Sequence, residues 1–563
     1  MIRNGRRKIA LTAVAGASVL ALGLTACGAG GGNEGSGGDG DRALRVWAGS
    51  QTPITANYNP FAPNVLHGAT GPIYETLFFY NKTTDSEPVG LIGDSFEYNE
   101  DGTAITITIK PDLKWSDGEP LTAADVAFSF TYEANNPGGN GLVSAEATDD
   151  TTVVLTYSSA QYTTEYQRLG STYIIPEHIW ADVSDFANFA NEEPVGSGAY
   201  VVEKTTSESY TLVANENFRD ADELGVKKVQ YIAVDNNQTA QDLLAAGKLD
   251  WTSMFIPNPD DVTSNGVIDW INTPQDPTVL YTCSNADLGC TGPQTDVAVR
   301  QALNVAIDRA AIKDKAFVGL TGDVSPTFAL LPRDEKWVAD PANEISPQEA
   351  DAAEAGEILE AAGYTKDGDF YAKDGVPLEL SLISVDGWTD YNDAAKLIAE
   401  QAEAAGIKIT ASTVQWQEFV DARQGGEFQL IVGGVVGTSV ADPFQIYRDW
   451  FGGTAVESTS PVGTEVPPGR WNFSRYSNPV VDAAVADATS TNDEAEKQAL
   501  YGTIQTEIVR DLPYIPLVIN ATQTFYNSRD FTGWVTEDDL YSFPAPWEKV
   551  ASGYVLTQLE PVN

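Results

Sequence analysis

Aromatic and polar side chains are concentrated where several predicted strands end, which suits the binding of a solute. The strand LELSLIS (378–384) is followed by VDGWTDY (385–391), and the strand FQLIVGGVV (428–436) is followed by GTSVADPF (437–444). LDWTSMFIPNP (249–259) follows a predicted helix, and TANYNPFAPN (55–64) follows the first predicted strand. Ligands of open α/β sheets bind beyond the carboxyl ends of strands, so these segments are predicted to line the site.

The predicted site combines indole rings with hydrogen-bonding groups. Flat indole faces stack on the C–H faces of sugars, while amides and carboxylates pair with hydroxyls. Some of these side chains have equally good structural uses: Trp251 and Trp388 could fill hydrophobic cores, Asp390 could cap a helix beginning near Asn392, and Asp442 could also be a helix cap. The candidate ligand-binding residues are Asn59, Asn64, Trp251, Trp388, Asp390, Tyr391, Trp416 and Asp442.

Catalytic and metal-binding motifs are missing from the sequence. It contains only two histidines, His67 and His178, and it lacks the HExxH and CxxC patterns of zinc sites. It also lacks the phosphate-binding motif GxxxxGK[ST] and the nucleophile motif GxSxG. We therefore expect a binding protein with no catalytic residues, no cofactor and no metal site; a cell-surface hydrolase or sensor is the remote alternative.

Alternating strands and helices are predicted to position these segments. Ile105, Ile107 and Ile109 alternate with threonines, which indicates a half-buried strand, and Thr122 with Asp125 forms a capping-box pattern. The alternation over residues 230–440 favours an α/β fold with largely parallel sheets. Strands are predicted at 43–48, 104–109, 228–234, 378–384, 407–413 and 428–436, and helices at 239–246, 297–314, 348–362, 392–405 and 493–510.

The charge balance excludes some partners. The chain has 80 acidic and 33 basic residues and a formal net charge of −47. Nucleic acids and anionic lipid surfaces attract basic patches, so neither is an expected partner. The 42% of hydrophobic residues suffices for large cores, and 563 residues suggest two to four domains.

The amino-terminal segment has the pattern of an export signal. Basic residues at positions 3, 6, 7 and 8 precede an apolar run over 9–24, which ends in LTACG (24–28). This ending resembles a bacterial lipoprotein signal, so residues 1–26 are predicted to be a signal peptide and Cys27 to be lipidated. Residues 27–41 would form a flexible Gly-rich tether at the extracytoplasmic face of the cell membrane. An ordinary signal peptide and twin-arginine export remain alternatives.

Two further cysteines, Cys283 and Cys290, flank the polar segment SNADLG. A pair so close in sequence, in a chain outside the cytoplasm, is predicted to form a local disulfide.

Many short motifs together resemble one protein family. They are NYNPF (57–61), YETLF (74–78), IKPDLKWSDGEPLTAADVAFSF (109–130), PVGSGAYVV (194–202), LLAAGKLD (243–250), VRQALNVAIDRAAI (299–312), ILEAAGY (358–364), RYSNPVVDAAV (475–485) and LPYIPL (512–517). In this order they resemble the family 5 extracytoplasmic solute-binding proteins of ABC importers, and they extend over nearly all of the chain after the signal.

This resemblance implies a fold and a partner. The fold would be a periplasmic-binding-protein-like type II α/β fold, in which two hinged lobes enclose the ligand and a third domain is inserted. Lobe I would comprise residues 42–82, 199–285 and 523–563, the inserted domain 83–198, and lobe II 286–522. A monomer of this kind would deliver its ligand to the ABC permease subunits in the membrane.

The class of ligand stays open between oligopeptide and oligosaccharide. Peptide-binding members of the family are similar in a Gly-Asp pair before Asp-Pro, whereas here Gly437 is followed by Thr438 and the loop is one residue longer. FIPN (255–258) and GWTDY (387–391) resemble instead the branch that binds cello- and other β-gluco-oligosaccharides. The family as a whole favours an oligopeptide, and these local motifs favour a β-linked oligosaccharide.

Overall fold

The computed structural model describes residues 42–49, 53–62, 64–136, 141–234, 237–452, 460–467 and 470–562. The predicted signal peptide, Cys27 and the predicted tether lie outside the described residues. The strands are β1 (Leu44–Trp47), β2 (Phe78–Phe79), β3 (Val89–Gly90), β4 (Gly93–Tyr98), β5 (Ala104–Ile109), β6 (Leu142–Ala147), β7 (Thr152–Tyr157), β8 (Tyr200–Thr205), β9 (Ser209–Ala214), β10 (Lys228–Ile232), β11 (Trp251–Ser253), β12 (Ile268–Thr282), β13 (Thr365–Asp367), β14 (Phe370–Lys373), β15 (Val376–Pro377), β16 (Glu379–Val385), β17 (Lys408–Val414), β18 (Leu430–Gly434), β19 (Tyr514–Asn527), β20 (Phe531–Thr532) and β21 (Glu560–Pro561).

Six of the described helices begin at residues whose side chains cap them. Thr122 and Asp125 form the predicted capping box of the first helix, and the Asp351 carboxylate accepts from two backbone N–H groups of the seventh. The helices are α1 (Ala123–Thr131), α2 (Glu177–Trp180), α3 (Asn237–Ala245), α4 (Asp260–Thr263), α5 (Val297–Ala306), α6 (Arg309–Lys315), α7 (Ala352–Ala361), α8 (Thr389–Ala404), α9 (Trp416–Gly425), α10 (Phe444–Ile446), α11 (Pro479–Ala488), α12 (Glu494–Asp511) and α13 (Lys549–Gln558). Within the described residues, no helix combines the length and the apolar character that a membrane span requires.

One of the predicted helices is interrupted. The sequence predicts a single helix over 297–314, but the structure has α5 and α6 with Ile307 and Asp308 between them. The Asp308 carboxylate accepts a hydrogen bond from the Ala311 N–H and thereby starts a new helix, and the buried Arg309 donates to the carbonyl of Pro516. The apolar periodicity continues across the break, which is why the sequence pattern does not reveal it.

A ten-stranded sheet forms the framework, in the order β17-β16-β18-β12-β19-β11-β1-β10-β9-β8. We call the part with β1 and β8–β11 lobe I, and the part with β16–β18 lobe II. The long strands β12 and β19 run through both parts. β16 pairs parallel with β17 and β18, whereas β18 pairs antiparallel with β12, so the sheet is mixed. The structure thus has the predicted α/β class, and its sheet is less uniformly parallel than the sequence pattern suggests.

The ladder between the two long strands shifts register twice within residues 274–279. β12 and β19 pair in register from Ile268 to Pro274, and the register shifts before Pro277 pairs with Ile519. Gln275 and Asp276 therefore lie outside the regular ladder, opposite Asn520. We call residues 274–277 the hinge segment, because a bulge flanked by two prolines interrupts the hydrogen bonds where the two lobes join.

Each part of the chain has its own hydrophobic core. Alternate residues of β18 face different cores of lobe II: Leu430 and Val432 face one, and Ile431 faces the other. Strand β18 is therefore covered on both faces, as is usual for strands inside an α/β sheet. A four-stranded sheet of β4, β5, β7 and β6 packs with α1 around Ile105, Ile107 and other apolar side chains, and we call this part the inserted domain.

The amino-terminal end of β1 is joined to lobe I by charged groups. Arg45 makes two hydrogen bonds of 2.8 Å to the carboxylate of Asp250, which is fully buried. Arg42 also pairs with Asp250 and with Asp530, and the Asn527 amide donates to Asp250. Several donors thus converge on one buried carboxylate at the point where the described chain begins.

Cys283 and Cys290 form a disulfide with a Cα–Cα distance of 5.4 Å. It closes the turn that leads from β12 toward α5.

Candidate ligand-binding site

A pocket of about 260 Å³ lies beside the hinge segment, on the lobe II side. The carboxyl ends of β16 and β18 point toward the hinge segment, since Gly434 at the end of β18 pairs with Thr278. We call this cavity the hinge pocket. Its lining residues are Gln275, Asp276, Thr278, Trp388, Tyr391, Phe419, Arg423, Gly433, Gly434, Val436 and Asn520.

An aromatic group forms one wall and the rim of the hinge pocket. Trp388, which directly precedes α8, is 38% exposed and makes an edge contact with Tyr391, with ring centres 5.4 Å apart. Trp416 is not among the lining residues; it is 51% exposed and stacks on Phe419, which lines the pocket, at 5.7 Å. Large aromatic rings held in fixed positions and exposed beside a pocket provide flat apolar surfaces for a ligand.

Polar side chains of the hinge strands form the opposite wall. The Tyr391 hydroxyl lies 3.2 Å from the hydroxyl of Thr278. The Asp276 carboxylate accepts a 2.8 Å hydrogen bond from Thr438 and forms no ion pair with a described residue. Burial raises the pKa of Asp276, and the charge of Lys82 opposes that effect. This wall therefore offers the hydroxyls of Thr278 and Tyr391, the carboxylate of Asp276 and the amides of Gln275 and Asn520.

Arg423 brings a positive charge to the pocket. Its guanidinium carbon lies 5.3 Å from the ring centre of Phe419 and 4.6 Å from that of Phe473. The Nε–H group is buried and has no hydrogen-bond partner, and no ion pair joins Arg423 to any carboxylate that the structure describes. Aromatic rings stabilise a guanidinium in this position without consuming its hydrogen bonds.

Asp390 is half-buried in the first turn of α8 and is not among the lining residues. Its carboxylate accepts from the N–H of the adjacent Tyr391. Trp388 occupies the cap position, so Asp390 is not the cap of a helix beginning near Asn392. Burial raises the pKa of the Asp390 carboxyl.

Three candidates from the first half of the chain lie away from the hinge pocket. Trp251 is fully buried in lobe I, because β11 lies between β1 and β19, and its indole donates to the Pro544 carbonyl. Asn59 is also fully buried and holds the carbonyls of Phe186 and Phe189. Asn64 is exposed and accepts from the Asn57 amide. Trp251 and Asn59 thus have structural uses in lobe I.

Asp442 lines a different cavity, which lies between the inserted domain and lobe II and which we call the inter-domain cavity. Its carboxylate accepts 2.8 Å hydrogen bonds from the Phe444 N–H, at the start of α10, and from the Tyr501 hydroxyl. Burial raises its pKa, and the charge of Lys497 opposes that shift. Asp442 therefore accepts from a backbone N–H beside the start of α10, whose cap position is Pro443, and also faces a cavity.

Sequence reasoning missed the hinge residues of the site. The side chains of Gln275, Asp276 and Asn520 line the pocket because β12 and β19 change register there. The segment PQDP (274–277) carried a usable signal, since two prolines within an extended run of apolar residues indicate an interrupted strand. Arg423 gave no such signal, because a single arginine near the end of a helix is usually solvated.

The comparison with known families agrees with this architecture. Residues 87–458 match the model of the bacterial extracellular solute-binding proteins, family 5 Middle. The chain belongs to this family. Family 5 proteins are the solute-binding components of ABC importers, and the relatives found are binding proteins and not enzymes. Among the described residues, no group of three or more His, Cys, Asp or Glu is arranged to hold a metal ion.

Relatives cover nearly the whole chain. Protein XP55 of Streptomyces lividans is 28% identical over 534 residues, covering 91% of this chain and 90% of that protein. The glutathione-binding protein GsiB of Pectobacterium atrosepticum is 26% identical, with 89% and 95% covered. The family 5 chain is thus similar to relatives along their full length.

A solved structure from Thermotoga maritima is similar in fold. The periplasmic oligopeptide-binding protein of an oligopeptide ABC transporter superimposes with a TM-score of 0.82, at 26% identity, covering 92% of this chain and 99% of that chain. A second structure of the Thermotoga protein, with mannohexaose bound, has a TM-score of 0.75. These likenesses establish the type II periplasmic-binding-protein fold with two α/β lobes.

Proposed function

We propose that this family 5 protein captures an oligosaccharide in the hinge pocket and presents it to an ABC permease. The observation that carries the proposal is the exposed ring of Trp388 above a pocket with hydroxyl and amide groups. A sugar ring has apolar faces and hydroxyl edges, and the pocket pairs one aromatic wall with one polar wall. The ligand expected from this arrangement is a β-linked oligosaccharide.

A relative supports this class of ligand. The Thermotoga protein carries an oligopeptide-binding name and was solved with mannohexaose bound. A protein named as oligopeptide-binding can therefore bind a saccharide. Mannohexaose is a suitable first probe for this chain.

Closure around the ligand would follow from the hinge segment. Only β12 and β19 among the strands of the large sheet run through both lobes, and their ladder is irregular at residues 274–277. A ligand that contacts both lobes favours the closed arrangement by its differential affinity. The permease would then recognise that arrangement, and this chain performs no chemistry on the ligand.

The decisive experiment is calorimetric titration of the purified protein with mannohexaose. Saturation at 100 times Kd should add about 2.7 kcal/mol to the free energy of unfolding. Trp388→Ala should weaken binding by about 30-fold, which corresponds to ~2 kcal/mol. Trp471→Ala is the matched control, since Trp471 is a partly buried lobe II tryptophan outside the pocket. Unchanged affinity in Trp388→Ala would remove the ring from the site.

The second candidate ligand is an oligopeptide, and the charges of the hinge pocket favour it. Asp276 and Arg423 both line the pocket without ion-pair partners, and they are complementary to an ammonium and a carboxylate terminus. For a tripeptide ligand, Asp276→Asn and Arg423→Gln should each weaken binding more than tenfold, about 1.4 kcal/mol or more. For a neutral saccharide, both variants should stay within about threefold of the wild type.

We further propose that Cys27 carries the lipid anchor of this protein, after removal of residues 1–26, with 27–41 as the tether. The support is the LTACG pattern after a basic and apolar segment. Cys27→Ser should move the protein from the membrane fraction to the soluble fraction, while the neighbouring Gly28→Ser should not. Retention of Cys27→Ser in the membrane fraction contradicts the anchor.

The domain limits are likewise a proposal. Lobe I would comprise 42–82, 199–285 and 523–563, the inserted domain 83–198, and lobe II 286–522. The core around Ile105 and Ile107 supports an inserted domain, and the cores of lobe II support that lobe, while Ile175 and Trp180 pack with the core of lobe I. Limited proteolysis should cleave first near these limits.

A further inference from the structure

The inter-domain cavity is about 530 Å³, twice the volume of the hinge pocket, and the two share no lining residue. Segments 80–88 and 162–167 form one side, and residues 336–337, 440–445, 492 and 497 form the lobe II side. A cavity of this size is within the range of small-molecule sites. Because its walls come from two parts of the chain, an occupant would contact both.

Lys497 lies in the lobe II wall, and only 8% of the residue is exposed. Its ammonium is not among the buried atoms that lack a partner, so it remains accessible, and no hydrogen bond or ion pair joins it to a residue in the described ranges. Its charge opposes the rise in pKa that burial causes at both Glu165 and Asp442. The ammonium therefore lies in the field of one carboxyl group from each side of the cavity. An ammonium in a cavity wall can donate three hydrogen bonds to an occupant.

Two polar atoms in the cavity walls are buried without a partner. They are the Oγ1 of Thr163, from the inserted domain, and the Oε1 of Gln445, from α10 of lobe II. Buried polar atoms are nearly always hydrogen-bonded, so two such atoms facing one cavity indicate groups that bind its occupant.

The two carboxyl groups are already oriented by tyrosines. Glu165 accepts from the hydroxyls of Tyr80, at 2.9 Å, and Tyr98, at 3.2 Å. Asp442 accepts from Tyr501 at 2.8 Å. A carboxylate has about four lone-pair positions, so each retains capacity for a further donor.

The balance of groups selects the chemistry of the occupant. Carboxylates, Gln445 Oε1 and Thr163 Oγ1 accept hydrogen bonds, whereas Lys497 only donates them. A hydroxyl group both donates and accepts, and the rings of Tyr80 and Trp337 in the wall supply apolar contact. Two carboxylates disfavour an anion by repulsion. A neutral molecule rich in hydroxyls satisfies all of these groups.

We propose that the inter-domain cavity is a second saccharide-binding site, in which Lys497, Gln445 and Thr163 hydrogen-bond to sugar hydroxyls. It is separate from the hinge pocket, deepens the proposed function and rests on it for the class of solute. A sugar in this cavity joins the inserted domain to lobe II and so stabilises their contact.

The test is titration of the full-length protein with mannohexaose in matched pairs of variants. Lys497→Met should weaken binding at least tenfold, whereas Lys396→Met, on the exposed surface of α8, should not change it. Thr163→Val removes the hydroxyl of the opposite wall at constant shape and should weaken binding three- to tenfold. Its control is Thr131→Val, an exposed threonine of the inserted domain.

The outcomes separate this proposal from the hinge-pocket proposal. If Lys497→Met and Thr163→Val bind like the wild type while Trp388→Ala does not, the second site is overturned and the hinge pocket stands. If Lys497→Met weakens binding and Trp388→Ala does not, the hinge pocket is overturned and the second site stands. If the wild type does not bind mannohexaose, both are overturned. Should Lys497→Met fail to fold, Thr163→Val decides.

Discussion

The hinge pocket and the inter-domain cavity differ in the parts of the chain that build them. The hinge pocket is lined by the hinge strands and by lobe II alone. The inter-domain cavity has a wall on each side of the boundary between the inserted domain and lobe II. A pocket within one part keeps its shape when the parts separate, whereas a cavity between two parts exists only while they are in contact. A solute could therefore bind the first in any arrangement of the parts, and the second only while they are in contact.

The contacts beside the inter-domain cavity are few and polar. The Arg333 guanidinium of lobe II donates to the carbonyl of Lys82, outside lobe II, and to that of Thr438 within it. Lys336 pairs with Asp85 across the same boundary at 2.8 Å. The boundary thus depends on a small number of charged side chains, which makes the comparison testable by single substitutions.

Arg333→Met should have the largest effect on stability, a loss of about 3 kcal/mol in the free energy of unfolding. It removes the boundary contact and leaves Asp334, which is 1% exposed, without its cation. Urea denaturation measures the loss. The matched control is Arg448→Met, because Asp449 keeps Arg470 as a partner when Arg448 is lost. Equal losses in both variants would show that the boundary contact adds nothing.

Asp442→Asn should change the pH dependence of stability. Burial raises the pKa of Asp442 above 3.8, against the charge of Lys497 and the Tyr501 hydrogen bond, while Asp334 adds to the rise. A raised pKa means that the folded protein binds this proton more tightly than the unfolded chain, so stability falls as pH rises through the folded pKa. Asparagine keeps an acceptor without the charge. The stability of the variant relative to the wild type should therefore rise between pH 4 and pH 7.

A pH series of urea melts measures this difference. Asp393→Asn, at an exposed ion pair on α8, is the control and should give curves parallel to the wild type. Parallel curves for Asp442→Asn as well would contradict the buried charge in the inter-domain cavity.

Trp416→Ala should weaken saccharide binding by about fivefold, or ~1 kcal/mol, less than Trp388→Ala. Trp416 is 51% exposed at the rim and contacts Phe419, so a bound sugar covers only part of its ring. Calorimetric titration of Trp388→Ala and Trp416→Ala with the saccharide measures the two losses of affinity. A loss as large as that of Trp388→Ala would place both rings inside the site.

Lys336→Met should have the smallest effect, at most about 0.5 kcal/mol in the free energy of unfolding. The side chains of Lys336 and Asp85 are 37% and 50% exposed, so water and salt screen their interaction. Urea melts at low and high salt should bring the variant and the wild type together. A loss comparable to that of Arg333→Met would show that exposed and buried boundary contacts are equivalent.

The framework could be predicted from local patterns, because they depend on neighbouring residues. The alternation of Ile105, Ile107 and Ile109 gave β5, whose isoleucines are buried as expected. The capping box at Thr122 and Asp125 gave the start of α1. Both structures arise within a few residues of the pattern that encodes them.

The site could be predicted only in part, since pairing over long distances builds it. Trp251 and Trp388 are both tryptophans, but their surroundings differ. Trp251 belongs to β11, which lies between two strands, whereas Trp388 lies in a loop before α8. Gln275 and Asn520 meet because β12 and β19, which are far apart in the sequence, pair in the sheet. No pattern in a single segment encodes that pairing.

The ion pairs of Asp250 affect how a pull on the chain is transmitted to the folded part. Tension along the chain from its amino-terminal side enters the described part at Arg42 and Arg45, which are both tied to Asp250. The next residues, β1, lie between β10 and β11, so a pull along them loads several hydrogen bonds in shear at the same time. Load is thus spread into the strands of lobe I.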